Sequence, residues 1–409
     1  MSERDNIRQY NLVRKMRAVV VGAGISGLAA ARGLLALGWD VVVYEQADSF
    51  GPVGAGITLA PNGVRALDGL GLGRQLRDEG AAHGALGIRD PSGRWLLRVP
   101  VDVLEARFGV PSFALHRARL HEMLARSIPE AAIRTGHRVI AVRNEARPVV
   151  VFDTDRDGPG EVEADLVVGA DGVDSRVRAS LFPDHPDPAY AGYIAWRGLV
   201  AADAVPPGSR GFGAIETWGR GCRFGFVPLG DGQVYWYATL TASAGSHRHD
   251  TLDDLLARYD GWHDPIPALL RASRPDTLLR HEIRYMATPL PAYHVERVVL
   301  LGDAAHPLTP DLGQGGCLAL EDAVVLCAAL AAERDLDAAL MAYDRARLGR
   351  TRAIVRDSAR MGRIAQARNL VIAALRNALL RLTPSSAFLR SAKGTLGWEP
   401  PKSGVGNPA

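Results

Sequence analysis

The sequence predicts an α/β fold: a Rossmann-like dinucleotide-binding domain, an antiparallel sheet inserted into it, and a helical C-terminal segment. Three observations point there. A β-branched run, a glycine-rich turn and an Ala/Leu-rich stretch follow one another across residues 17–38. Between 190 and 237 the texture changes, and aromatic and glycine residues alternate with polar ones, as in an antiparallel sheet. The apolar-strand texture then returns at 297–301 and gives way to helical sequence from Gly316 onward. At 409 residues the chain exceeds what one simple core organises, so two interlocked domains are expected.

The elements follow in order. Residues 1–16 are polar and charged, without the apolar core of a signal peptide, and read as a frayed extension. A strand at 17–21, a helix at 24–38 and a strand at 40–45 make a βαβ opening. A helix is expected at 114–126, strands at 139–142 and 149–152, and a strand at 163–169 ending in Ala170-Asp171-Gly172. The segment 252–272 reads as one or two helices broken near Pro265 and Pro267. The division that results assigns 16–85, 112–185 and 290–342 to the dinucleotide domain. It assigns 86–111 and 186–289 to the inserted sheet, 343–399 to C-terminal helices, and 1–15 and 400–409 to flexible tails. No internal repeat is present, and no run of 18 apolar residues suggests a membrane span.

Bulk properties exclude more than they identify. The net charge of +3 names no partner and gives no reason to expect nucleic acid. The cysteines Cys222, Cys317 and Cys327 form no CxxC pair and no metal-ligand spacing, so no metal is expected. Their odd number argues against a disulfide framework and fits a reducing cytoplasm.

Residues 22–27 read Gly22-Ala23-Gly24-Ile25-Ser26-Gly27, between the first strand and its helix. In such a fingerprint Gly22 makes the tight turn, Gly24 admits a pyrophosphate to the backbone, and Gly27 lets helix and strand touch. The helix N-terminus supplies N–H groups and a positive dipole end for phosphates. Glu45 ends the second strand, where a carboxylate accepts ribose hydroxyls and disfavours a 2′-phosphate, so FAD or NAD is expected rather than NADP. A second glycine site lies at 298–316, where an apolar strand ends in Gly302-Asp303 and a helix opens near Gly315. A carboxylate at that strand end suits the hydroxyls of a ribityl chain. The helix N-terminus suits the negative charge that a reduced flavin carries at N1, and together they favour FAD.

The fingerprint, Asp171-Gly172 and Gly302-Asp303, in that order, resemble the class A flavoprotein monooxygenases, the para-hydroxybenzoate-hydroxylase-like group, over about residues 17–365. The resemblance implies an FAD-binding domain of the GR2 type carrying an inserted substrate domain. It implies that Asp171 and Gly172 serve the pyrophosphates of FAD and NAD(P)H. It implies further that Arg117, in His116-Arg117-Ala118-Arg119-Leu120, contacts FAD and that Ile140 meets the adenine through its backbone. The run Gly313-Gln314-Gly315-Gly316-Cys317 resembles the urate-hydroxylase and zeaxanthin-epoxidase branches, although many relatives carry an Asn soon after the Gly-Gln-Gly. Backbone N–H contacts make that departure small, and Cys317 is expected to pack. The expected FAD contacts are therefore Gly22, Gly24, Ser26, Gly27, Glu45, Gln46, Arg117, Ile140, Asp171, Gly172, Asp303, Gly313, Gln314, Gly315, Gly316 and Cys317.

The activity that the resemblance implies is a monooxygenation. NADH or NADPH reduces FAD, O2 forms a C4a-hydroperoxyflavin, and one oxygen enters a small aromatic or heteroaromatic ring of the urate, hydroxybenzoate or quinolone kind. The cofactor carries that chemistry, and the protein must exclude water. No nucleophile, triad or metal is required. Ten aromatics lie between Tyr190 and Tyr237: Tyr190, Tyr193, Trp196, Phe212, Trp218, Phe224, Phe226, Tyr235, Trp236 and Tyr237. Sheet core accounts for about half of them, and an apolar pocket suits the rest. Two polar residues stand among them, Arg223 and, twelve positions on, Tyr235. The pair resembles the substrate-site pair of urate hydroxylase. In the functional reading Arg223 grips an anion or carbonyl bidentately and Tyr235 orients or deprotonates the ring. In the plainer reading they are an exposed Arg and a cross-strand Tyr. His306 follows Asp303 too closely to favour catalysis over structure.

Two other readings stay open at this point. One is an FAD oxidase, dehydrogenase or halogenase on the same fold, with a monomer or a homodimer equally compatible. Disulfide reductases are disfavoured, because there is no second glycine fingerprint and no cysteine pair. The other is a membrane-recruited flavin module. Residues 344–393 hold twelve Lys/Arg and two Asp, and 369–382 is Leu-rich, which suits weak contact with an anionic membrane surface. The more ordinary expectation is that this helix packs its apolar stripe on the FAD domain and shows its arginines to water.

Overall fold

The computed structural model describes residues 15–51, 55–83, 86–154, 159–205 and 213–401. It opens with β1 (Arg17–Val21), α1 (Ile25–Ala36) and β2 (Asp40–Tyr44). Next come β3 (Gly56–Leu59), α2 (Pro61–Gly69), α3 (Gly73–Glu79) and β4 (Ala81–His83). The hairpin β5 (Leu86–Arg89) and β6 (Trp95–Val99) leads through α4 (Val101–Phe108) to β7 (Ser112–His116) and α5 (Arg117–Arg126). Then follow β8 (Ile133–Arg134), β9 (His137–Arg143), β10 (Val149–Thr154), β11 (Gly160–Glu163), β12 (Leu166–Gly169) and α6 (Arg176–Leu181). The long strands are β13 (Ala189–Ala201), β14 (Ala214–Trp218), β15 (Cys222–Pro228) and β16 (Gln233–Thr241). Helices α7 (Leu252–Arg258) and α8 (Ile266–Ala272) lead to β17 (Leu279–Tyr285), β18 (His294–Val295) and β19 (Val298–Leu300). The chain ends in α9 (Gly315–Ala332), α10 (Leu336–Ala365), α11 (Leu370–Leu382) and α12 (Ser385–Leu396).

The first sheet runs β18-β19-β12-β1-β2-β8. Its Val-rich central strands are buried along almost their whole length, because helices cover both faces of a parallel sheet. Strands β2, β1, β12 and β19 are parallel, with Val21 opposite Gly169 and Gly169 opposite Leu300. Three segments far apart in sequence therefore end at one edge. Helix α9 is apolar and long enough, at 18 residues, to cross a membrane. It is instead a core helix, wedged among α1, α2 and α10, and the Cys327 thiol sits against Gly33 where a methyl group would not fit.

The second sheet runs β17-β13-β16-β15-β14-β5-β6. All its pairs are antiparallel except β14 with β5. Its period-2 alternation sorts the aromatic residues. Trp196, Phe224, Phe226 and Trp236 point to one face and form a core with Leu255, Tyr259 and Leu269 of α7 and α8. Tyr193, Trp218, Tyr235 and Tyr237 occupy the opposite face, where Tyr193 meets Asp311, Tyr235 meets Gly56 and Trp218 packs with Ala365 and Leu389. Phe212 lies outside the described residues, as do most of the two tails. Small sheets β3-β7-β4 and β11-β10-β9 complete the fold.

Candidate functional site: a dinucleotide cradle facing a polar sheet

The cradle begins at the shared strand edge. Gly22 has φ +97°, and a Cβ there would lie 2.5 Å from the Ala170 carbonyl oxygen, so only glycine lets β1 end beside β12. A Cβ on Gly27 would collide with the Gly22 carbonyl, which is the helix–strand contact the fingerprint needs. A Cβ on Gly24 would meet nothing within 4 Å, which leaves open space above the N-terminus of α1 for a pyrophosphate. Glu45 closes the turn from the side. Its carboxylate accepts the backbone N–H of Ala23 (2.8 Å) and of Ala47 (2.9 Å). His121 on α5 adds a contact to the Ala23 carbonyl at 2.7 Å. The His137 N–H donates to the Glu45 carbonyl at 2.9 Å, so β9, which carries Ile140, starts beside this strand end. Gln46 is exposed at the same end.

The other two motifs are tied to this one. Ser26 is buried, and its Oγ lies 2.8 Å from where a Cβ on Gly302 would stand, so the fingerprint helix and the Gly302-Asp303 turn are in contact. Asp171 spends its carboxylate on its own loop, accepting Ser175 Oγ (2.5 Å) and the N–H groups of Arg176 (2.7 Å) and Val177 (3.1 Å). It thereby fixes the start of α6, while Gly172, in the left-handed region at φ +80°, leaves open space beside it. Arg178, which sequence reasoning passed over, is buried and donates to the carbonyls of Val173 (2.7 Å) and Ala304 (3.0 Å). One guanidinium thus binds the Asp-Gly loop to the Gly-Asp loop.

Asp303 is exposed just past the end of β19, with surrounding protein groups crowding its carboxylate. Burial raises its carboxyl above the usual range, against the pull of His306 and Arg117. Beneath it Asp322 accepts the Gly302 N–H (2.8 Å), His306 Nε2 (2.6 Å) and Arg347 Nε (2.6 Å), and Glu321 holds Arg347 (2.6 Å) and Arg350 (2.7 Å). His306 is 2% exposed within this network, so it supports the turn. The loop before α9 turns at Gly313, whose φ is +63°. Gln314 is 1% exposed, takes the amide of Asn62 on its oxygen at 2.8 Å, and leaves its own Nε2 without a partner. Gly316 meets Ile57 of β3, and Gly315 stays open apart from Leu308. Cys317 is buried with its sulfur against Gly63, and burial pushes its thiol up to about 12, so it packs and does not react.

The polar face of the second sheet looks onto this loop. Arg223 is 1% exposed and donates to Asp311, in the loop before α9, at 2.5 Å. Glu216 lies 3.6 Å from the same guanidinium and also takes Trp218 Nε1 at 2.5 Å and the Tyr237 hydroxyl. Tyr193 adds a hydroxyl bond to Asp311 at 2.8 Å. Burial would lower Arg223, but the two carboxylates outweigh it and hold the guanidinium charged. Arg223 is therefore neither an exposed arginine nor a free one, and only its Nε is left without a partner among the described residues. Tyr235 sits four residues of register away, opposite Val227 and Leu199, with its ring on Gly56 of β3. Burial raises its phenol, which keeps the group a neutral hydroxyl and disfavours the phenolate. Arg197 hydrogen-bonds that phenol and reaches His281 at 2.9 Å. Burial, then Arg197, Arg117 and Arg280, push His281 down to about 4. Arg117 therefore stands near enough to both Asp303 and His281 to act on each.

The residues fit FAD. The open backbone at Gly24, Gly172 and Gly313, the carboxylates at two strand ends and the unpartnered buried amide of Gln314 are the donors, acceptors and close-approach points that a flavin dinucleotide uses. A family model described as an FAD binding domain matches residues 15–358. The chain belongs to this FAD-binding family. Within it the chain is 38% identical over 371 residues to the aurachin C monooxygenase/isomerase of Stigmatella aurantiaca, covering 90% of this chain and 95% of that protein. It is 37% identical over 344 residues to the FAD-dependent urate hydroxylase of Klebsiella pneumoniae, covering 83% and 88%. The solved structure of Klebsiella pneumoniae HpxO complexed with FAD and uric acid superposes with a TM-score of 0.85 at 32% identity, over 93% of this chain and 96% of that one. This member of the family is an FAD-dependent aromatic hydroxylase.

Sequence reasoning missed Arg178, Glu216, Tyr237 and Asp311 as parts of the site. Glu216 and Tyr237 were within its reach, since each lies on the Arg223 side of its strand. Asp311 was not, because only the tertiary fold brings it to Arg223.

Proposed function

We propose that the chain hydroxylates a small planar heteroaromatic ring carrying a carbonyl or acidic oxygen, held between the loop before α9 and the polar face of the second sheet. The observation that carries this reading is the Arg223 Nε–H, a buried donor without a partner, on a guanidinium whose charge two carboxylates already balance. Such a donor recognises a neutral carbonyl or a delocalised oxygen anion, and leaving it unfilled has a cost. Tyr235 supplies a neutral hydroxyl to orient the ring, and Tyr237 is held by Glu216. When bound, FAD accepts a hydride from NAD(P)H and activates O2. The chain's share is to place the ring and keep out water. Trp218, Ala365 and Leu389 close the sheet's far edge with apolar side chains. The names of the urate and aurachin C relatives support a heteroaromatic substrate.

The test is a screen of urate-, quinolone- and hydroxybenzoate-type compounds for faster NADH or NADPH oxidation, with product mass and peroxide measured together. Acceleration with oxygenated product for a ring that bears such an oxygen is expected. Acceleration by oxygen-free rings alone would overturn the proposal.

A further inference from the structure

Helix α11 is turned inside out. Arg376 faces inward at 6% exposure and donates to the carbonyls of Ala365 (2.7 Å) and Gly219 (3.0 Å). Six large aliphatic side chains face out: Leu370 61%, Val371 73%, Ile372 57%, Leu375 60%, Leu379 57% and Leu382 79% exposed. This reverses the ordinary expectation of an apolar stripe packed inward. A single exposed leucine needs no account, but six on a helix of 13 residues form a patch. The helix is also held in this orientation. Arg376 pins it to the turn between β14 and β15, and Arg381 reaches Asp90 at 2.8 Å.

The chain segment that carries the patch is of one sign. Residues 358–398 contain seven Lys/Arg and no Asp or Glu. All of those cations except Arg376 are exposed.

We propose that the outer face of α11 docks on an anionic lipid surface, with its aliphatic side chains at the acyl boundary and the surrounding arginines among the headgroup phosphates. Thirteen residues rise roughly 20 Å, too short to cross the hydrocarbon, so the helix lies in the plane of the surface. Charge decides against a second copy of the chain as the occupant. A two-fold contact would press this cationic segment against itself, whereas an anionic bilayer complements both the apolar patch and the exposed arginines of the segment.

Cosedimentation of the holoenzyme with vesicles tests this. Binding to phosphatidylcholine–phosphatidylglycerol vesicles is expected, with loss at high salt and little binding to phosphatidylcholine alone. Leu375→Gln with Leu379→Gln should lower the bound fraction about tenfold or more while flavin content and Tm stay unchanged, since both side chains are in solvent. A wild-type protein that stays in the supernatant with both vesicles overturns the proposal, as does a double variant that binds as well as wild type. Light scattering in vesicle-free buffer supplies the other arm: a dimer broken by the same double substitution would make the patch a self-contact instead.

Discussion

Arg223 is both a packing group and a candidate contact for substrate, so its variants must separate the two. Arg223→Ala leaves Asp311 and Glu216 without their cation in a buried setting, which costs about 3–5 kcal/mol of stability and confounds kinetics. Arg223→Lys keeps the charge near Asp311 but removes the unpartnered Nε–H. We expect it to retain FAD and to raise KM by about ten- to 150-fold, the equivalent of about 1.5–3 kcal/mol for a hydrogen bond to a charged group. Unchanged KM at wild-type coupling would mean that the substrate does not use this donor. Asp303→Ala should weaken FAD retention by a similar factor with little change in the far-UV spectrum, measured by flavin release on dilution; unaltered affinity would place its carboxylate away from the cofactor. Cys317→Ala, by contrast, removes only a packed sulfur, and activity should survive it.

At the scale of elements, the position of the second sheet over the cradle depends on close backbone approach. Gly56 of β3 receives the ring of Tyr235, with a Cβ there only 2.5 Å from Tyr235 Cγ. Gly56→Val therefore displaces that ring. If Tyr235 orients the substrate as proposed, the expected phenotype is continued NAD(P)H oxidation with more oxygen released as peroxide and less in product. Coupling equal to wild type would show that Tyr235 does not orient the substrate. The alternation of β13 to β16 was visible in the sequence, and it divides apolar Trp196, Phe224, Phe226 and Trp236 from Tyr235 and Tyr237. Which face meets helices and which meets the cleft was not visible, since both faces carry aromatic residues. Helix α11 shows the same limit in reverse: its 3.6-residue pattern is plain, but the pattern alone suggested burial of a stripe that the fold leaves in solvent.

At the scale of the molecule, stability depends on charges that meet only when segments distant in sequence come together. His281 on β17 is held down at about 4 from 6.5 by burial and by Arg197 of β13, Arg117 of α5 and Arg280 of β17. Between those pH values the unfolded chain holds a proton on this ring that the folded chain lacks. The folded state therefore loses stability as pH falls through 6.5, and the loss levels off near 4 where both states are protonated. His281→Gln should flatten this part of the Tm-against-pH curve relative to wild type; parallel curves would show that the ring is not depressed. FAD acts at the same scale. At 100 times its Kd it should stabilise the protein by about 2.7 kcal/mol and raise Tm accordingly, and a Tm indifferent to added FAD would contradict the cradle.

The sequence by itself determined the α/β fold class, the three motifs and the flavin, because a tight turn, a helix start and a strand-end carboxylate are local requirements that Gly22, Gly27, Glu45 and Asp303 meet within a few residues. It also marked Arg223 and Tyr235 as polar residues in an aromatic sheet. Only the tertiary structure decided what those residues are free to do. Arg223 is paired through a contact of 88 residues' separation with Asp311, and Arg178 joins loops 126 residues apart through Ala304. Neither neighbour is encoded by spacing or period. Each follows from the parallel order β1-β12-β19 and from the sheet folded back across it, which set charges side by side only after the backbone has closed.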